Sequence, residues 1–135
     1  MFPREESKVQ IAKCFADDIS FSKIEKSFRR DYRQINTVLS THYLHLVAIF
    51  TFYAGMSKTY PAIAVDDFMM FCRETGIISA QSSVTETAII KCFTSTIASS
   101  ANFKTKGEKS LNRYEFLEIL VCIAVIINKE PQNKQ

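Results

Sequence analysis

Oxygen-bearing side chains gather in segment 108–115, where their types suit a divalent cation. They are Glu108, Ser110, Asn112 and Glu115. Carboxylate and amide oxygens are among the ligands that Ca²⁺ prefers. Lys104 and Lys106 precede them, however, and two ammonium groups close to an ion would repel it. The sequence therefore predicts a loop that has the outline of a calcium site but does not bind the metal.

The two histidines offer a second possible metal site. His42 and His45 are three residues apart, so they can share one face of a helix and supply two ligands. No Cys, Asp or Glu stands at a neighbouring helical step to complete the set. We therefore interpret them as ordinary helix residues and expect no cofactor.

Signals for catalysis are missing as well. The three glycines stand alone, which excludes a glycine-rich phosphate loop. The paired acids Asp17-Asp18 and Asp66-Asp67 are adjacent residues that point in different directions on a helix, and we interpret them as helix-start charges. We predict no enzyme, and an enzyme with unrecognised residues ranks last among the alternatives.

Size and composition indicate one all-α domain. The chain has 135 residues, 47% of them hydrophobic, with only three Gly and three Pro. A net charge of +3 is too modest for a dedicated nucleic-acid binder. The four cysteines form no CxxC pair, and no apolar segment follows the charged start, so we expect reduced thiols and a cytoplasmic location.

Helix signals divide the chain into an N-terminal arm (1–20), a helical domain (21–130) and a polar tail (131–135). Ser22 to Glu25 and Ser83 to Glu86 each have the form of a capping box that begins a helix. Between them, an apolar stretch predicts a long, largely buried helix that ends near Gly55. The pattern leaves open whether this helix is continuous with the preceding one or broken near residues 36–40.

A hydrophobic residue followed four positions later by an acidic residue, and then by Phe, occurs twice. Leu111, Glu115 and Phe116 form one copy, and Ile63, Asp67 and Phe68 form the other. This pattern resembles the second half of an EF-hand, and residues 36–128 resemble the calmodulin-type EF-hand superfamily with additional N-terminal helices. The resemblance implies two paired helix-loop-helix units, with Ile63 beside Leu111. Segments 49–54 and 111–120 also look like degenerate EF-hand modules of protist ciliary and flagellar proteins, which implies an axonemal setting.

Two features are candidates for binding a protein partner. The first is a basic band on the helix after Ser22, which suits an acidic surface such as that of tubulin, although a solvated helix face is the simpler interpretation. The band consists of Lys23, Lys26, Arg29, Arg30 and Arg33. The second is the apolar run 116–127, which is too short to span a membrane and is interpreted as a central helix in preference to a docking surface.

These observations favour a non-catalytic structural or adaptor protein with a calcium-independent EF-hand-like fold. The resemblance implies that an apolar groove holds a helix of the partner. We expect neither nucleic acid nor membrane as a partner, and the oligomeric state stays open. The alternative is a calcium-responsive regulatory protein with one weak site in segment 104–115.

Overall fold

Helices make up most of the computed structural model, which describes residues 5–57, 59–79, 84–98 and 110–129. The predicted all-α class is confirmed at this level. The elements follow the chain as α1 Glu5–Phe21, α2 Ile24–Ser27, a 3-10 turn Arg29–Asp31, α3 Tyr32–Thr41, α4 Tyr43–Met56, β1 Ile63–Ala64, α5 Val65–Glu74, α6 Glu86–Ala98, β2 Ser110–Leu111 and α7 Arg113–Lys129.

The segment after α1 differs from the single amphipathic helix that the sequence predicts. The helix α2 has only four residues, because Phe28 leaves the helical region with φ −124° and ψ 43°. The predicted capping box is also absent. The Ser22 hydroxyl accepts a hydrogen bond from the Ile24 amide, only two residues on, at 3.2 Å. The Lys23 amide instead donates to Glu118 Oε2 at 3.0 Å, so a residue of α7 fixes the start of α2.

The apolar stretch that follows is broken at His42, between α3 and α4. The two helical segments Arg29–Thr41 and Tyr43–Met56 meet at a bend of 70°. Helix α4 ends at Met56, one residue beyond Gly55, so the predicted position of its end is right but the helix-stopping role of the glycine is wrong. The C-cap is Ser57, whose backbone is extended and whose hydroxyl accepts hydrogen bonds from the amides of Thr59 and Ala64. Ser57 therefore links the end of α4 to β1.

The later helix boundaries follow local signals. Gly76, which has a positive φ of 83°, lies two residues beyond the end of α5, as a left-handed glycine after a helix predicts. At the start of α6 the Thr85 hydroxyl accepts from the Ala88 amide at 3.1 Å, so Thr85 has the capping role that the sequence assigns to Ser83. Ser83 itself lies outside the described residues.

Helix α7 is the centre of the molecule, since its opposite sides contribute to two hydrophobic clusters. Phe116, Ile119 and Ile123 pack in the larger cluster with side chains of α4, α5 and α6. Leu117 and Val121 pack in the smaller one with side chains from α1 to α4. This arrangement agrees with the central helix that the run 116–127 predicts.

Aromatic rings fill the larger cluster. The ring of Phe116 lies 5.6 Å from those of Phe50 and Phe71 and 6.2 Å from that of Phe68, between centroids. Phe68 in turn lies 6.0 Å from Phe93. These separations are typical of packed aromatic pairs. The space between α5 and α7 is therefore occupied by the protein's own side chains.

Candidate partner-binding surface

The ribbon β1–β2 brings together the two residues that the EF-hand resemblance predicts to lie side by side. The strands pair antiparallel, with Ile63 opposite Leu111 and Ala64 opposite Ser110. Both Ile63 and Leu111 are completely buried. Each stands two residues before a helix start, so the ribbon fixes α5 and α7 relative to each other.

The predicted oxygen ligands are only partly within the described residues. Lys104, Lys106 and Glu108 lie outside them. Ser110 is buried in β2, and Asn112 is half-buried. Glu115 is fully buried, and its Oε1 accepts a hydrogen bond from the Asn112 amide at 2.7 Å. This carboxylate therefore stabilises the first turn of α7.

The described residues contain no group of three or more His, Cys, Asp or Glu side chains arranged to hold a metal ion. His42 forms the junction between α3 and α4, and His45 lies in the first turn of α4. Both are exposed.

All five cations of the basic band are exposed, but they belong to several elements and not to one helix. Lys23 precedes α2, Lys26 lies in α2, Arg29 and Arg30 lie in the 3-10 turn, and Arg33 lies in α3. The ion pairs within the described part of the chain involve other residues, which are Arg73 with Glu86 and Arg113 with Asp18. The band is thus open to an anionic group from outside.

The outer face of α4 presents an apolar stripe that the sequence does not reveal. Leu44, Ala48, Phe52 and Met56 follow one another at four-residue steps and so share one face of the helix. The exposed fraction is 53% for Leu44, 60% for Phe52 and 49% for Met56. The expectation of a largely buried helix is therefore wrong for this face. Because α4 is apolar on all sides, its sequence has no period that distinguishes the inner face from the outer one.

A crevice opens where α1 passes the junction of α3 and α4. Its volume is about 350 Å³, and Leu44 of the stripe forms part of its wall. Ile11 and Phe15 line it from α1, and Thr41 lines it from α3. The Thr41 hydroxyl donates to the Thr37 carbonyl at 2.8 Å, so that polar group is engaged within the helix. The lining carries no charged side chain and has an apolar character.

A buried carboxylate behind this crevice holds α1 in place. Asp18 Oδ2 accepts hydrogen bonds from Arg113 Nε and from the Tyr43 hydroxyl, both at 2.6 Å, and Oδ1 accepts from Arg113 Nη2 at 3.0 Å. Burial and the bond to Asp18 raise the pKa of Tyr43, and the same carboxylate raises the pKa of Arg113. Asp17 and Asp18 lie near the C-terminal end of α1, so their interpretation as helix-start charges is wrong.

A second acid on α7 is buried with a different partner. Glu118 accepts a hydrogen bond from the Lys23 amide. Burial raises the pKa of the Glu118 carboxyl, and the nearby charge of Glu115 raises it further. The bond from Lys23 acts in the opposite direction. Asp18 and Glu118 thus connect α7 to the two ends of the 18–23 segment.

Burial keeps the thiols of three cysteines protonated. Burial raises the pKa of Cys72 to about 12 and that of Cys122 to about 11, and it also raises the pKa of Cys92. Nucleophilic attack and metal binding need the thiolate, which is scarce for such groups near neutral pH. These three thiols therefore act as packing groups.

Comparison with protein-family models, with curated proteins and with solved structures finds no match to this chain. Among the described residues, no single helix is long and apolar enough to cross a membrane, although the bent pair Arg29–Thr41 and Tyr43–Met56 together meets the same length and composition criteria.

Proposed function

We propose that this protein is a non-catalytic structural adaptor with a calcium-independent, EF-hand-like pair of helix-loop-helix units, which binds a protein partner. The observation that carries the binding role is the exposed apolar stripe of α4. In a soluble domain, contiguous exposed apolar surface is costly unless another molecule covers it. In this proposal the exposed stripe is the face that the partner covers.

The EF-hand-like pairing rests on the ribbon and on the residues that follow it. Ile63 opposes Leu111 across β1–β2, and each is followed four residues later by an acid in the first turn of a helix, Asp67 in α5 and Glu115 in α7. In this proposal the units are α4–β1–α5 and α6–β2–α7. The ribbon couples them without a metal.

Calcium independence rests on the ligands themselves. Glu115, the acid that would bind the ion, accepts a hydrogen bond from the Asn112 amide within its own helix turn. The first loop keeps an acid at the corresponding position, Asp67, but Met56 and Tyr60 stand where oxygen ligands are required, and Pro61 stands where the loop needs a glycine. In this proposal the apolar contacts of the ribbon hold the units in one state.

A melting experiment tests this part of the proposal. Thermal unfolding, followed by circular dichroism, is recorded in EDTA, in 1 mM Mg²⁺ and in 1 mM Ca²⁺. If the loop bound calcium with a Kd about 100-fold below 1 mM, the ion would raise the free energy of unfolding by about 2.7 kcal/mol. We expect the same melting temperature in all three. A rise of several degrees in calcium alone would favour the calcium-responsive alternative.

Photo-crosslinking in the native source tests the binding role. A benzophenone side chain is placed at Phe52, on the stripe, and in a matched variant at Ile90, which is 46% exposed on α6. We expect one protein to be crosslinked in stoichiometric amounts through position 52 and not through position 90. Equal yields from both positions would remove α4 as the binding face. A ciliary or cytoskeletal identity of that protein would support the axonemal setting, for which the EF-hand resemblance is the ground.

A further inference from the structure

The crevice and the α4 stripe form one continuous apolar surface, because Leu44 belongs to both. From Leu44 the stripe continues along α4 through Phe52 to Met56, a helix with no charged residue. On the other side of Leu44, the crevice extends to Ile11 on α1. This surface is distinct from the space between α5 and α7, which aromatic rings fill.

The size of the surface suits one helix. The twelve-residue step from Leu44 to Met56 spans about 18 Å along α4, at 1.5 Å per residue. With a width of about 10 Å, one helix diameter, the stripe covers about 200 Å². A stable dimer buries about 800 Å² on each partner, about four times the area of the stripe, so the stripe matches the footprint of a single helix better than that of a second copy. A partner helix of three to four turns would cover the stripe and place one side chain over the crevice.

The charge beside the surface selects the partner. Arg33, Thr37 and Thr41 are exposed and stand at four-residue steps, so they share one face of α3, and Thr41 lines the crevice. Arg33 is eight residues from Thr41, or about 12 Å along the helix axis. Arg30 and Arg29 lie just before it in the chain. A ligand anchored in the crevice therefore has segment 29–33, with three arginines and one acid, toward its α3 end and the uncharged helix α4 along the rest.

We propose that this surface binds an acidic amphipathic helix of another protein. Apolar residues at four-residue steps cover the α4 stripe, one large apolar side chain enters the crevice, and carboxylates at one end of the helix pair with Arg33 and the basic band. This inference rests on the proposed adaptor function. It adds the class of partner, an acidic amphipathic helix, and the orientation of that helix, with its acidic end at Arg33.

Two synthetic peptides test the proposal. Both are sixteen-residue amphipathic helices with a leucine stripe and one phenylalanine, and they differ only at one end, which carries three Glu or three Lys. Fluorescence anisotropy measures their binding to the full chain at low and at physiological salt. We expect the Glu peptide to bind at least tenfold more tightly than the Lys peptide, with the difference shrinking as salt rises.

Variants locate the site. The double change Leu44→Ser and Phe52→Ser should weaken binding of the Glu peptide at least tenfold. Arg33→Glu should remove the preference of the protein for the Glu peptide over the Lys peptide. Ile90→Ser and Lys91→Glu, exposed changes on α6, are the matched controls and should leave both affinities unchanged. All sites are on the surface, so unchanged melting curves verify folding.

Three results would overturn the proposal. One is equal binding of the two peptides or binding of neither. Another is Leu44-dependent binding to anionic lipid vesicles in place of the peptides, which would assign the surface to a membrane. The last is a dimer, by sedimentation, that Leu44→Ser with Phe52→Ser dissociates. If the peptides fail while crosslinking at Phe52 still captures one protein, the adaptor function stands and only this inference falls.

Discussion

The replacement Asp18→Asn tests how α1 is held on the molecule. The change keeps the shape of the side chain but removes the charge that accepts two hydrogen bonds from Arg113 and one from Tyr43. Hydrogen bonds to a charged group contribute about 1.5–3 kcal/mol. The Arg113 side chain is 42% exposed, so water replaces part of the lost interaction, whereas buried Tyr43 has no such access. We therefore expect a loss of about 2 kcal/mol in the free energy of unfolding.

Urea denaturation followed by circular dichroism measures this loss, and Asp17→Asn is the control. Asp17 is the neighbouring acid and is exposed, so its replacement should change stability by less than about 0.5 kcal/mol. For a chain of this length, a loss of 2 kcal/mol corresponds to a fall of roughly 7 °C in the melting temperature. A double-mutant cycle with Arg113→Gln should give a coupling of at least about 1 kcal/mol. Equal stabilities for the Asp17 and Asp18 variants, or no coupling, would refute this account of how α1 is anchored.

Other features give independent predictions. Burial raises the pKa of Glu118, so the native protein binds this proton more tightly than the unfolded chain does. The stability that this group contributes should therefore fall as pH rises above about 4.5. Glu118→Gln keeps an acceptor for the Lys23 amide and should remove this fall from a plot of the urea midpoint against pH. Gly55→Ala should raise the free energy of unfolding by about 0.5–1 kcal/mol, since a Cβ there meets nothing within 4 Å. Gly76→Ala should lower the free energy of unfolding by about 1 kcal/mol, because an alanine is strained at its positive φ. Thermal melts of the two variants test both predictions. Cys72, with a thiol pKa of about 12, should be alkylated by iodoacetamide at pH 8 only after unfolding, as mass spectrometry of timed samples would show; rapid labelling of the native protein would contradict its burial.

Local signals allowed the later part of the fold to be predicted from sequence. Gly76 marks the end of α5, and the Asn112–Glu115 pair marks the start of α7, because each acts through bonds to residues within a few positions. The contact between Ile63 and Leu111 is of a different kind, because the EF-hand resemblance, and not a local signal, implies it.

Long-range contacts explain what sequence reasoning missed. The first capping box fails because the Lys23 amide binds Glu118, which is 95 residues away, and no local pattern contains that acid. The buried role of Asp18 likewise depends on Arg113. The candidate binding stripe was missed for a different reason. An apolar helix such as α4 has no polar side to identify the face turned toward solvent, so only the packing of its neighbours decides it.

The separation between Asp18 and Arg113 has a consequence for the order of events during translation. Ribosomes add about 5–20 residues per second, so the 95 residues that separate the two side chains take roughly 5–20 s to synthesise. During that interval the nascent α1 has emerged without the arginine that neutralises its buried acid. Docking of the first helix therefore waits for the synthesis of α7, and until then the apolar side of α1 lacks the helix that it packs against.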